Sequence, residues 1–273
     1  ANGGGQLMNK AVFFDMDGTL INLMKEQLHI TNPVRNAIFA LKKAGHGAFI
    51  ATGRPYQYLS DEFIKDGLFD GYVLMNGAMV MMGDKVIYDK PLDKKLVREV
   101  VALCDTHNVE YALEGKRDIF IRRNSPMTED FCRAIKVPLE NFVRDFDVNH
   151  IDVYKMEFLA KERGGSGVFE KFMAIPELTG VIDRYHGKNM ELYAKDETKA
   201  SGILHVLDYL GIPVEKSYAF GDGMNDIEMM ETVGTSLVME NGQKKLKEKA
   251  DYIVPSVDDD GVMHGIYAYI LEE

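Results

Sequence analysis

Ala11-Val12-Phe13-Phe14-Asp15-Met16-Asp17-Gly18-Thr19-Leu20 runs from four apolar residues into two acids and a glycine. An uninterrupted apolar run of this length, bounded by polar residues, reads as a strand buried on both faces of a parallel sheet. Asp15 and Asp17 then sit at its C-terminal end, the edge where open α/β sheets bind ligands. With extended backbone persisting through Asp17, the two carboxylates would share one side and Met16 would point away. Gly18 lets the chain turn sharply. Two carboxylates so close invite a cation and can divide nucleophilic and acid–base work between them.

Further along, Thr31-Asn32-Pro33 carries a helix-start signal, a capping residue followed by proline. That helix runs through Val34, Ile38 and Leu41 to Lys43, with Gly45 suited to close it. Ala48 to Ala51 is a second buried strand and ends in Thr52-Gly53-Arg54. Pro55 opens a helix carrying Leu59, Phe63 and Ile64, and Tyr72 to Met75 is a third strand closed by Asn76-Gly77. Strand–helix–strand–helix–strand is the signature of a parallel sheet wrapped by helices.

The pattern then changes. Met79 to Met82 and Val86 to Tyr88 flank a hairpin turn at Gly83-Asp84. A helix over Asp93 to His107 and paired strands at Val109 to Leu113 and Ile119 to Arg122 follow. A helix near Thr128 to Ile135 comes next, then a strand at Tyr154 to Leu159 and a helix after Ser166. Strands at Val181 to Tyr185 and Met190 to Tyr193 complete an antiparallel sheet covered by helices. From Thr198 the first pattern returns: helix Ala200 to Leu210, strand Ser217 to Phe220, Gly221-Asp222-Gly223, a short helix from Asn225, strands at Ser236 to Met239 and Tyr252 to Val254, and a last helix. The fold class expected is α/β, a Rossmann-like doubly wound, mostly parallel core with an α+β module inserted. The core is assigned to residues 8–83 and 192–273 and the insert to 84–191. Residues 1–7, rich in glycine and without the basic and apolar regions of a signal peptide, are set apart as an expression scar or flexible tail.

At 273 residues the chain is long for one core. Its formal net charge of −11 disfavours non-specific contact with nucleic acid or anionic membrane. An anionic ligand would therefore need local cations or a metal. Cys104 and Cys132, the two cysteines, form no CxxC pair, so no disulfide framework is expected. No apolar run reaches membrane-spanning length, and a cytoplasmic setting follows by default. No basic, aromatic stripe suggests nucleic-acid binding.

Taken singly, each polar stretch has an ordinary reading. Asp15 to Gly18 could be a solvated turn, Thr52 a helix cap, Lys199 a surface lysine, and Asp222 to Asp226 a glycine-rich loop capped by Asn225. Their conjunction changes this, because parallel strands align their C-terminal ends and could bring all four together. The set resembles the four motifs of the haloacid dehalogenase (HAD) superfamily phosphohydrolases, and more closely the Cof-type branch with a class IIB cap. Asp15 to Leu20 matches Asp-x-Asp-Gly-Thr-Leu, Thr52 to Arg54 matches Thr-Gly-Arg, Lys199 matches the third-motif lysine, and Gly221 to Asp226 matches Gly-Asp-Gly-x-Asn-Asp. Asn76-Gly77-Ala78 and Ala250 to Ser256 also resemble Cof-type members. One departure is Ala200, where glycine is frequent after the lysine.

The resemblance implies Mg²⁺-dependent hydrolysis of small phosphorylated metabolites, sugar phosphates above all, with residues 84–191 as the cap. It implies Asp15 as nucleophile and Asp17 as general acid and base. Thr52, Gly53, Lys199 and Asn225 would hold the phosphate. The metal would sit on the Asp15 carboxylate, the Asp17 backbone carbonyl and the Asp222 carboxylate, with Asp226 orienting Asp222 or Lys199. Arg54 is a weaker candidate, and Arg122, Arg123, Glu157, Arg184, His186 and Asn189 are cap residues left outside the site. Alternatives are a phosphomutase, which returns the phosphoryl group to sugar, and a non-catalytic metabolite sensor. A dehalogenase is a poor fit, since that chemistry does not need Asp17 or a metal site.

Overall fold

The fold is seen in a computed structural model that describes residues 7–271. Most of the stretch set apart as a tail, residues 1–6, lies outside the described residues. The chain divides into two compact units. One takes the chain up to Gly53, Leu59–Tyr88 and the chain from Thr198; the other takes Arg54–Tyr58 and Asp89–Glu197.

The first unit opens with β1 (Ala11–Phe14), α1 (Asn32–Lys43), β2 (Gly47–Ala51), α2 (Asp61–Ile64), β3 (Gly71–Leu74), β4 (Met79–Met82) and β5 (Lys85–Asp89). The second unit contains α3 (Lys94–His107), β6 (Glu110–Glu114), β7 (Ile119–Ile121), α4 (Pro126–Ala134), β8 (Phe142–Val143), β9 (Lys155–Leu159), α5 (Val168–Met173), β10 (Leu178–Ile182) and β11 (Asn189–Ala194). The first unit then resumes with α6 (Lys199–Leu210), β12 (Ser217–Gly221), α7 (Ile227–Thr232), β13 (Thr235–Met239), α8 (Lys244–Lys247), β14 (Tyr252–Val254) and α9 (Gly261–Gly265).

In the first unit eight strands lie in the order β14-β13-β12-β1-β2-β3-β4-β5. The six from β14 to β3 run parallel, and β4 pairs antiparallel with β3. β1 is central, its four residues fully buried. Ala11 and Phe13 pack with Ile203, Val206 and Met229 of α6 and α7. By strand alternation Val12 and Phe14 occupy the opposite face, where Phe14 stacks on Phe220 at 5.3 Å between ring centres. The expected α/β class is met.

The second unit is a sheet in the order β10-β11-β9-β6-β7-β8, antiparallel apart from the β7–β8 pair. Tyr111, Leu113, Met156, Phe158, Met190 and Leu192 pack with α3 and α5 around Cys104, Phe169 and Phe172. Asp93 caps α3 by accepting from the N–H groups of Lys95 and Leu96, and Asn108 closes it in the left-handed conformation.

Three local expectations are corrected. The helix placed after Pro55 is a 3₁₀ turn at Tyr56–Tyr58 and then the single turn α2. Gln57 Nε2 donates to the carbonyls of Gly115 and Asp118, both at 2.9 Å, which ties this turn to the second unit. Thr31 precedes α1, but its hydroxyl donates to Asp260 rather than capping the helix. The last helix is α9 followed by a π turn at Ile266–Ile270. Among the described residues no helix is long and apolar enough to cross a membrane.

Candidate active site

Asp15 follows β1 directly and still belongs to the ladder, its N–H donating to Phe220 O at 3.0 Å. Beyond it the chain does not stay extended. Met16 O accepts from the N–H groups of Thr19, Leu20 and Ile21, and Gly18 turns with φ +81°. The expected run of strand through Asp17 is therefore cut short, and Asp17 lies half-buried, bridged by backbone to Ile21. A Cβ on Gly18 would lie 2.0 Å from Asp222 Oδ2, so this glycine serves both the turn and the close approach of that carboxylate.

β12 lies beside β1 with Phe14 opposite Phe220, so the residues beyond, Asp15 and Asp222, leave the sheet side by side. Thr19 Oγ1 donates to Asp222 Oδ1 at 3.1 Å. Asp226 is fully buried and turns back under the loop, its Oδ2 accepting from the N–H groups of Asp222 and Gly223 at 3.0 and 3.1 Å. Lys199, the first residue of α6, is 1% exposed. Its Nζ donates to Asp15 Oδ1 at 2.9 Å and to Asp226 Oδ1 at 2.6 Å. Thr198 caps α6 reciprocally with Ser201, which fixes where the lysine starts.

One ammonium thus faces three carboxylates. Asp15, Asp222 and Asp226 each offer an oxygen within 4.8 Å of the others. Burial, and then the Asp226 charge, push the Asp15 carboxyl well above its ordinary range against the pull of Lys199. Burial raises Asp222 to about 6. Burial alone would lower the Lys199 ammonium, but Asp15 and Asp226 more than reverse it and keep it charged. A divalent cation would relieve the excess negative charge. The donors are all hard oxygens, with no imidazole or thiolate among them, and so fit Mg²⁺. Asp226 has its oxygens committed to Lys199 and to backbone, so of the three carboxylates Asp15 and Asp222 are the ones that could take such a cation.

Thr52 follows β2, the other neighbour of β1 in the sheet, and is buried. Its carbonyl accepts from Asn76 N–H at 3.1 Å, and a Cβ on Gly53 would stand 3.2 Å from Asn76 Oδ1. Asn225 is exposed in the turn before α7. Asp15, Lys199, Asp222 and Asp226 are brought into direct contact. Thr52 and Gly53 share the same sheet edge, and Asp17 is outside the group of three carboxylates. Arg54 belongs to the second unit, where its Nη1 donates to Tyr58 O.

Three residues at this edge escaped sequence reasoning. Thr19 lies inside the first motif with no role assigned to it from sequence. Asn76 has a left-handed backbone, as does Met75 before it, and its Oδ1 is buried without a hydrogen bond. Asn241 follows β13, its Nδ2 donating to Gly18 O and its Oδ1 accepting from Val257 N–H. The rule that found the other stretches, polar residues at the end of a buried strand, would also have found Asn241.

A sequence profile described as haloacid dehalogenase-like hydrolase matches residues 12–266. This chain belongs to that family. It is 29% identical over 269 residues to YkrA of Bacillus subtilis, covering 94% of this chain and 96% of the relative. It is 26% identical over 279 residues to 5-amino-6-(5-phospho-D-ribitylamino)uracil phosphatase YitU of the same organism, covering 94% and 96%. It also spans about half the length of two longer relatives, 53% and 46%. Among solved structures, the sugar phosphatase BT4131 of HAD subclass IIB superposes with a TM-score of 0.80 at 28% identity, covering 95% of this chain and 98% of the other. The family and fold expected from the four motifs are borne out, and the chain is a hydrolase of the family.

Proposed function

We propose that this chain is a Mg²⁺-dependent phosphatase of small phosphorylated metabolites, sugar phosphates in particular, working through an aspartyl-phosphate on Asp15. The observation that carries the reading is the Asp15 carboxylate at the end of β1, held at 2.9 Å by the buried Lys199 and flanked by Asp222. A phosphate ester resists nucleophiles because it is anionic, so catalysis is chiefly positioning and charge neutralisation. The kinship with a protein named as a sugar phosphatase supports the substrate class.

An Asp15 oxygen attacks phosphorus, the bond to the ester oxygen breaks, and Asp17 supplies the proton that the departing alkoxide takes up. Asp17, now ionised, takes a proton from water. The water oxygen displaces Asp15 from phosphorus and releases inorganic phosphate. Lys199 offsets charge that builds on the phosphoryl oxygens, while Thr52, the Gly53 N–H and Asn225 donate to them. The Asp15 carboxylate, the Asp17 carbonyl and the Asp222 carboxylate would hold Mg²⁺, and its charge would shield the nucleophile from that of the phosphate. The second unit serves as the cap, and a cytoplasmic setting suits the two buried free thiols.

The test is phosphate release from a panel of hexose, pentose, nucleotide and pyridoxal phosphates. Activity should require Mg²⁺ and fall by at least about a thousandfold in Asp15→Asn. Full activity in that variant removes Asp15 as nucleophile.

A further inference from the structure

The hairpin from β3 to β4 closes in a conformation that its own sequence does not favour. Leu74 pairs with Met79, so residues 75–78 form the loop. Hairpin loops of this length are most often built around a type I turn, with negative φ at both central residues. Here Met75 and Asn76 are left-handed, with φ +49° and +56°, and Gly77 has φ +101°. Two successive non-glycine residues in this region carry steric strain that only fixed surroundings hold in place. The loop is also buried, Met75 being 1% and Asn76 4% exposed. Asn76 Oδ1 is sealed there without a hydrogen-bond partner, a second unfavourable feature at the same residue.

The turn reaches to both sides. Its left-handed bend returns the Asn76 N–H to Thr52 O at 3.1 Å, while Thr52 N–H donates to Val73 O at 2.9 Å. Thr52 is thereby held through both of its peptide groups by the end of β3. The Asn76 amide lies against Gly53, where an added Cβ would stand 3.2 Å from Oδ1 and 3.6 Å from Nδ2. On the other side Gly77 presses on the start of α6. A Cβ on Gly77 would lie 2.1 Å from Thr198 O and 3.1 Å from Ser201 Oγ. Gly202 of α6 returns the contact, its added Cβ 3.2 Å from Gly77 Cα. Thr198 is the cap that starts α6 at Lys199. The turn therefore stands between Thr52 and Gly53 on one side and the root of Lys199 on the other.

We propose that Asn76 is a positioning residue, a wedge that sets the distance between the Thr52 and Gly53 donors and the Lys199 ammonium. The inference rests on the phosphatase reading of the site, in which those groups hold the phosphate. Phosphoryl transfer depends on donors fixed where charge builds, and such donors act most strongly on the transition state. Asn76 acts through Gly53 and Gly77 and need not touch the substrate. Glycine would take φ +56° without strain and would leave no amide orphaned, so stability alone does not call for asparagine here.

The experiment is Asn76→Gly in the full chain with Mg²⁺, read by thermal unfolding, by calorimetric titration with inorganic phosphate and by steady-state hydrolysis of the best substrate in the panel. Tm should hold or rise, because the strain and the orphaned amide both go. Phosphate should bind about tenfold more weakly, and kcat should fall about a hundredfold, by more than KM rises. A double-mutant cycle checks the wedge. Gly53→Ala brings a Cβ to 3.2 Å from Asn76 Oδ1, a contact that the Asn76→Gly background lacks. The loss caused by Gly53→Ala should therefore be smaller in that background by about threefold or more. A Tm lowered by more than about 3 °C in Asn76→Gly, or parental kcat and phosphate affinity, makes the residue merely structural and overturns the proposal. Additive losses in the cycle overturn it too. Each of these results leaves the phosphatase reading standing, whereas a parent chain that neither binds phosphate nor hydrolyses any ester in the panel overturns both.

Discussion

Asp226→Asn is the substitution that most directly probes how the site is built. The wild-type carboxylate does two jobs at once: Oδ1 receives the Lys199 ammonium at 2.6 Å and Oδ2 receives two backbone N–H groups. An asparagine of the same shape can face its carbonyl to one side, but its NH₂ then meets donors on the other. Loss of one partner of a buried ion pair costs about 3–5 kcal/mol. Two features of the structure pull toward the low end. Lys199 keeps Asp15 at 2.9 Å, and the repulsion that Asp226 exerts on Asp15 and Asp222 disappears. The net loss comes to about 2–3 kcal/mol, equivalent to a Tm lowered by roughly 4–5 °C for a chain of this size. Thermal unfolding by circular dichroism at pH 7.5, with and without chelator, measures it. The same substitution should let the Asp15 carboxyl fall back toward its ordinary range, since Asp226 is second after burial among the influences raising it. A variant as stable as the parent, with unchanged turnover, would refute the assignment of Asp226 as the clamp on both Lys199 and the Asp222 loop.

Gly18→Ala forces a left-handed alanine and a Cβ at 2.0 Å from Asp222 Oδ2; it should cost about 1–2 kcal/mol and weaken Mg²⁺ binding measured by titration, most of the effect coming from the displaced carboxylate. Asp222 is held at about 6 against an ordinary 3.8, so the folded chain binds a proton that the unfolded chain has lost. Its contribution is present at pH below 3.8 and is lost as the pH climbs to 6, by about 3 kcal/mol in total. Mg²⁺ needs the ionised form, so it should raise Tm more at pH 7.5 than at pH 5, and equal shifts in scans at the two pH values would contradict this. Cys104 and Cys132 are both buried, with burial raising both thiols. Neither should react with a colorimetric disulfide reagent in the native state, and both should react in denaturant.

Much of the site could be read from the chain because three of its parts terminate buried strands. β1, β2 and β12 are short apolar runs, and the residue after each is polar, so Asp15, Thr52 and Asp222 announce themselves. Lys199, a surface lysine when read alone, is legible only through its match to the third motif. Local pattern could not supply the wiring. The grip of Asp226 on Lys199 spans 27 positions, and that of Thr19 on Asp222 spans 203. The extended path through Asp17 failed because three N–H groups converge on Met16 O, a turn whose closure depends on residues up to Ile21. The segment after Pro55 looked helical from its apolar spacing, yet Gln57 finds its partners near Gly115 and Asp118, beyond the reach of any local pattern.

The insertion of the second unit has a consequence for biosynthesis. β1 is central in its sheet, but its pairing with β12 joins Ala11 to Ser217, and its acid waits for a lysine 184 positions downstream. At elongation rates of about 5–20 residues per second, β1 spends roughly 10–40 seconds with one edge unpaired. During that interval the intervening unit, whose strands pair within Glu110–Ala194, emerges and can fold on its own contacts. The nascent chain should therefore acquire its inserted unit first and close its nucleophile last, with Ala11–Phe14 as the segment most in need of chaperone cover.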